Sequence, residues 1–298
     1  MEAFTIEKPL KFVPLSPNGQ EKFSVASFGV WGTGKSRFAG TFPSPIGAVL
    51  LDRKSRYSIS KAADEFGKKV IVPDVELIRM GNPMQLAMMP DYCQRSMDLP
   101  FGSPQPECFT KPYPTACALH WYRWHVNRVK EAAFRFAEMP DSQCRSIVID
   151  TGSQLAEDML YANYGRTLKI MPRDRGAYNQ EMRNFLNGIS SKHFLLTHQA
   201  KEIWKGEGDN AKPSGEFRRK GWTDLGYNVN VEIEHYRASK RDAVDGIVEG
   251  EFLVDVTMSQ TNPSLHGEAG ARLLFGEAIT FQNLALKVVE GSEPEDWE

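Results

Sequence analysis

The chain has 298 residues, enough to bury a substantial core as one large domain or two smaller ones. Its 36 Lys and Arg nearly balance 38 Asp and Glu, so the bulk field favours neither nucleic acid nor an anionic membrane, and any polyanion site must be local. The 4 cysteines (Cys93, Cys108, Cys117 and Cys144) are far apart, no charged-then-apolar leader opens the sequence and no run of roughly 18 apolar residues occurs, so a reduced, cytoplasmic, membrane-free setting is expected.

After a start punctuated by Pro9, Pro14 and Pro17, Lys22 to Phe28 ("KFSVASF") reads as a β-rich run that ends on a glycine loop. "SRFAGTF" suits a short helix, stopped by Pro43 and Pro45, and Ala48 to Asp52 reads as a buried parallel strand. Residues 73–115 are dense in Pro, Gly, Met and polar side chains without a sustained period, which reads as an insertion ordered in part. Ala118 to Met139 supports a long helix with Trp121, Trp124, Val129 and Ala132 as inward candidates, broken at Pro140. "SIVID" (146–150) is a third buried strand, Ser153 to about Tyr164 a helix, "EMRNFLNGI" another helix, and "HFLLTHQ" (193–199) a fourth strand. Residues 204–222 have the composition of a mobile loop. Two alternating runs, "YNVNVEIEHYRAS" and "EGEFLVDVTMS", read as neighbouring strands near the end of the sheet, before "ITFQNLALKVV" and an acidic tail at 291–298 that reads as a solvated terminus. The expected architecture is α/β: one domain over 1–298 with a mostly parallel central sheet and helices on both faces.

Gly29-Val-Trp-Gly-Thr-Gly34-Lys35-Ser36 matches the phosphate-loop pattern G-x-x-x-x-G-K-[ST] between a predicted strand and a predicted helix. Glycines at 29, 32 and 34 let backbone N–H groups curl around phosphate oxygens, with Thr33 and Arg37 beside them and the helix N-terminus behind. Lys35 is expected to reach the β and γ phosphates of ATP, and the Ser36 hydroxyl to sit on Mg²⁺. Trp31 has no role derivable from the pattern. Asp150, at the end of a buried strand, is the second acid, meeting the metal through water.

The order of phosphate loop, "LLD", "SIVIDTGSQL", "HFLLTHQAKEIW", basic segment and terminal strands resembles the RecA-type recombinase core, most closely the small RecA-like ATPases of bacteriophages associated with single-strand annealing (the Sak-type group), over roughly residues 20–290. The resemblance implies catalytic roles for Lys35, Asp150 and Gln199, the last as a γ-phosphate sensor leading into a DNA-binding loop. It also implies a homo-oligomer, a single-strand-binding or replication protein as a further partner, a bacterial host cytoplasm, and a first DNA-contacting loop at Arg166, Lys169, Arg173 and Arg175. Two features depart from the pattern. The glutamate expected after the second strand is replaced by Asp52-Arg53-Lys54-Ser55, so hydrolysis is expected to be slow. The late strand lacks the usual lysines, which leaves Arg237, Lys240 and Arg241 as candidates for a cation acting on a neighbour's nucleotide.

Lys205, Lys212, Arg218, Arg219 and Lys220, interleaved with Trp204, Phe217 and Trp222, pair cations for phosphates with aromatic faces for unpaired bases, a mixture suited to single-stranded DNA. The Cys93, Cys108, Cys117, His120 and His125 set lacks the tight C-x₂₋₄-C spacing of a zinc knuckle, and no G-x-S-x-G occurs. The leading expectation is an ATP- and Mg²⁺-dependent single-stranded DNA-binding protein of recombination or annealing. A nucleotide-gated protein-binding module, which gives the basic segment no task, is the alternative; a helicase or packaging motor ranks third.

Overall fold

The computed structural model describes residues 22–73, 118–164, 173, 175–206, 211–239, 247–265 and 272–297. The 73–115 insertion lies almost wholly outside this set, as do Arg166, Lys169, Lys240, Arg241, Cys93, Cys108 and Cys117.

The strands are β1 (Ser24–Gly29), β2 (Ile46–Leu50), β3 (Val70–Ile71), β4 (Ser146–Asp150), β5 (His193–Lys205), β6 (Lys212–Arg219), β7 (Val231–Arg237), β8 (Phe252–Ser259) and β9 (Arg272–Phe275). They form one sheet in the order β3-β2-β4-β5-β1-β7-β8-β9, with β6 paired to β5 off this path. From β3 to β7 every pairing is parallel; β7–β8, β8–β9 and β5–β6 are antiparallel. The architecture is therefore α/β with a mostly parallel central sheet.

The central strands read as unbroken apolar runs because both faces are covered. Ala26, Ile147, Ile149, Phe194 and Leu196 belong to the core beneath α3 (Ala118–Glu138), α4 (Gly152–Tyr164) and α5 (Gly176–Ile189). Their strand neighbours Val25, Val148 and Leu195 point the other way, into the core with α1 (Lys35–Ala39), α2 (Arg53–Glu65) and α6 (Phe281–Val288). On α3 the buried positions are Trp121, Tyr122, His125, Val126, Val129, Ala133 and Phe136, whereas the expected Trp124 and Ala132 are half-buried. A Cβ at Gly47 would come within 2.7 Å of Phe136, so the bare backbone of β2 is what lets α3 lie against the sheet.

Three expectations are corrected. Residues 204–205 and 212–219 are strand and not loop: β5 runs on to Lys205 and pairs with β6 as an antiparallel hairpin, the partners running from Ala200↔Arg219 to Lys205↔Lys212. Trp222 is a core residue, 1 % exposed, donating its Nε1–H to Asn179 Oδ1 at 3.0 Å. The acidic tail folds back as a short 3-10 turn, Pro294–Trp297, and Trp297 packs edge-on to Phe23 at 5.6 Å between ring centres. No described helix is long and apolar enough to cross a membrane.

Candidate functional site

The glycine loop begins where β1 ends, and sterics dictate its residue types. A Cβ on Gly29 would lie 2.3 Å from the His235 carbonyl oxygen of β7, too close for any side chain. Gly34 takes φ 93°, a left-handed conformation that side chains disfavour, immediately before α1 begins. Thr33 Oγ1 donates to Val30 O at 2.8 Å and closes the loop on itself. Lys35 Nζ donates to the carbonyl oxygens of Gly29 and Val30, both at 2.7 Å. Burial lowers its pKa to about 8 against the pull of Asp150, so at neutral pH it is a poorly solvated cation. It can exchange those two carbonyls for phosphate oxygens.

Asp150 is 5 % exposed at the tip of β4. Thr197 of β5 donates its hydroxyl to the carboxylate, and Ser55 on the first turn of α2 also bonds to it. Burial pushes the Asp150 carboxyl up, while those two hydroxyls and the Lys35 charge pull it back. Asp52 caps α2 by accepting from Lys54 N at 3.0 Å and faces the same cleft.

The cleft, about 560 Å³, is lined by residues 29–37, Asp52, Ser55, Asp150 and Gln199. It thus brings together every residue expected at the nucleotide. The set fits a triphosphate with Mg²⁺, because the loop leaves Gly29 no room for a side chain, a desolvated cation and a buried carboxylate interact across the cleft, and Ser36 lines it. Arg37 borders the cleft, but its guanidinium pairs with Glu65 at 3.3 Å and lies over the Phe66 ring. Gln199 stands in register beside Gly29, exposed, at the point where β5 leaves the sheet.

Compared with known proteins, the chain matches no family model. It also matches no curated protein. Among solved structures it is similar to the crystal structure of the RadB recombinase, at 10 % identity and a TM-score of 0.38 over 86 % of each chain. A likeness at that level carries no argument about activity. The functional reading rests on this chain's own geometry.

The expected nucleic-acid residues divide. Arg218 and Lys212 are exposed on β6, with Trp204 59 % and Phe217 37 % exposed beside them. Lys205 is exposed but pairs with Glu216 at 2.6 Å. Arg219 is not a surface cation. It forms a buried pair with Glu232 at 2.6 Å and donates to Trp222 O, fixing the hairpin root to β7. Arg237 binds within its own chain, donating to Gly32 O and Gly250 O at 3.1 Å each, with its guanidinium over Phe252. It braces the phosphate loop, which leaves it ill-placed to reach a neighbour.

Sequence reasoning missed the root of the hairpin. Ser153 Oγ accepts from Gln199 N and donates to Lys220 O, both at 2.9 Å, and Lys220 N donates back to Gln199 O at 2.8 Å. His198, 1 % exposed, donates from Nδ1 to Lys220 O at 3.1 Å; burial holds its pKa well below the usual range, so it is neutral. One hydroxyl at the start of α4 thus ties both arms of the hairpin together directly behind Gln199. The only signal in the sequence was a polar "THQ" closing an apolar strand. Thr197, Ser55 and Arg237 were equally silent in their supporting roles.

Proposed function

We propose that the chain is a Mg²⁺-dependent ATP-binding protein that grips single-stranded DNA with the β5–β6 hairpin, and that ATP acts as the switch controlling that grip. The observation that carries the reading is the position of Gln199: it lines the cleft beside Gly29, and its carbonyl accepts from Lys220 N at the root of the hairpin, one residue before the ladder begins. A contact between Gln199 and a terminal phosphate has only the Ser153–Lys220 bonds to cross before it alters the hairpin. Lys35 and the loop amides would bind phosphates, Ser36 and Asp150 would hold the metal, and Mg²⁺ would neutralise charge on the β and γ oxygens. Arg218 and Lys212 supply cations, and Trp204 and Phe217 supply flat faces for bases.

The order of the motifs supports a setting in phage DNA recombination or annealing. Exposed apolar side chains near the cleft, Trp31 at 91 %, Tyr57 at 74 % and Val30 at 43 %, support a neighbouring copy as a cover. Hydrolysis is proposed to be slow. Of the two carboxylates that line the cleft, Asp150 is assigned to the metal and Asp52 already caps α2, while Gln199 can orient a water but cannot accept its proton. Steady-state phosphate release with saturating single-stranded DNA tests this, with turnover expected below about 1 per second; several per second would mean that Asp52 or another group serves as base.

A further inference from the structure

We propose that His235 positions the phosphate loop from beneath, through one buried water held between its imidazole and Thr33. This rests on the nucleotide reading above and adds to that site a residue that does not itself touch the nucleotide. β7 pairs with β1 as far as Phe28↔Glu234, so the next residue, His235, comes under the loop as it leaves the sheet at Gly29. A Cβ built on Gly29 would lie 2.3 Å from the His235 carbonyl oxygen and 2.7 Å from Thr33 Oγ1, which sets those two residues against the same bare backbone. His235 also borders a cavity of about 10 Å³, shared with Thr33, Gly34, Arg37 and Phe252. The Phe38 ring closes it, 5.4 Å from the imidazole.

His235 is 1 % exposed, and neither ring nitrogen has a hydrogen-bond partner among the described residues. Burial and the nearby Lys35 charge push its pKa down to about 3, so the ring is neutral and presents one N–H and one bare nitrogen. Buried polar atoms in that state call for a partner. The cavity has room for a single water and nothing larger. No carboxylate among the described residues lines it, and Arg37 and the Lys35 charge stand close, which argues against a metal cation as the occupant. Water can donate to Thr33 Oγ1, because that hydroxyl spends its hydrogen on Val30 O and keeps its lone pairs. Val30 O is also one of the two carbonyls that hold Lys35 Nζ. The chain from His235 through water, Thr33 and Val30 thus ends on a carbonyl that Lys35 must release when phosphate arrives. It ties the loop to β7 and shapes it before the ligand enters, and such preorganisation raises affinity by lowering the cost of ordering on binding.

A crystal structure of the full chain should show an ordered water within hydrogen-bonding distance of both a His235 ring nitrogen and Thr33 Oγ1. Ring nitrogens bonded directly to protein, with no water there, would overturn the bridge. Calorimetric titration with a non-hydrolysable ATP analogue and Mg²⁺ reads the positioning. His235→Phe keeps the bulk of the ring and should weaken binding about fivefold, the worth of one net hydrogen bond, with a thermal unfolding midpoint no lower than the parent's. His235→Gln keeps a polar end for the water and should bind within about twofold of the parent. In Thr33→Val the bridge is already lost, so adding His235→Phe should weaken binding no further. Equal loss in the Phe and Gln variants, tracking a fall in unfolding midpoint, would reduce His235 to packing and overturn its positioning role. Parent-like affinity in His235→Phe would do the same. No binding of the analogue by the parent protein, with the water in place, would overturn the nucleotide reading itself, and the positioning role with it.

Discussion

The two halves of β5 share a backbone and almost nothing else. From His193 to His198 the strand is buried between β4 and β1, with Phe194 and Leu196 in one core, Leu195 in the other and the polar side chains bonded to neighbouring elements. From Ala200 to Lys205 it leaves the sheet, pairs with β6 and turns half-buried to exposed. The first half is held by layers of packing, the second by a ladder of backbone bonds and a few contacts at its root. A segment of the second kind can shift without disturbing the core, which is what a responsive element requires. Gln199 marks the boundary, and with Ala200 it lines the cleft beside the phosphate loop.

The largest effect that would sharpen this contrast comes from Lys35→Ala. Calorimetric titration should show ATP-analogue affinity falling at least about 100-fold, in line with loss of a charge-assisted contact to phosphate. Single-strand affinity without nucleotide should be unchanged, because the hairpin's ladder does not involve Lys35. Loss of both would mean that the two halves are one structural unit.

Replacing Lys212 and Arg218 by Ala should weaken single-strand binding and lower its log–log salt slope by about 0.7 for each lost phosphate contact. Arg219→Ala should behave differently. It breaks a buried pair with Glu232 and should cost about 3 kcal/mol in a denaturant melt, a structural loss and not a loss of DNA contact. Equal effects of Arg218 and Arg219 on the salt slope would contradict the division drawn between them.

The cleft also has a pH signature. Lys35 must be charged to hold phosphate, and its pKa in the free protein is lowered to about 8. ATP affinity should be level below that point and weaken as pH rises above it, by up to about tenfold per unit, because binding must then take up a proton. A titration series from pH 6.5 to 9.5 measures the slope; a flat profile would show Lys35 to be better solvated than its burial indicates.

Ser153→Ala is the subtlest break. Each ligand alone should bind within about twofold of the parent, while the ratio of single-strand affinities with and without nucleotide drops towards one. An unchanged ratio would remove Ser153 from the connection between cleft and hairpin.

The same contrast explains what the sequence disclosed. Apolar runs at Ala48–Leu51, 146–150 and 193–198 announce strands buried on both faces, and the glycine pattern announces a tight loop in which Gly29 is forced close to His235 and Gly32 and Gly34 take positive φ. Such constraints leave only a few residue types. The hairpin has no such constraint: its strands are rich in Lys, Arg, Glu and Gly, and their order comes from pairing with each other, which composition does not encode. Trp222 was misplaced for a related reason. A Trp among cations has the composition of a base-stacking loop, and only the turn of the chain after β6 takes it into the core. Ser153 and Thr197 are ordinary polar residues until the fold sets one against the hairpin root and the other against Asp150.

The central claim is that nucleotide in the cleft governs the hairpin's hold on a single strand. The direct measurement is fluorescence anisotropy of a labelled single-stranded oligonucleotide titrated with the protein, with and without a non-hydrolysable ATP analogue and Mg²⁺. The account predicts at least about fivefold tighter binding with nucleotide, roughly 1 kcal/mol of coupling, and none in Lys35→Ala. Identical affinity in the two conditions, with nucleotide shown to be bound, would contradict it.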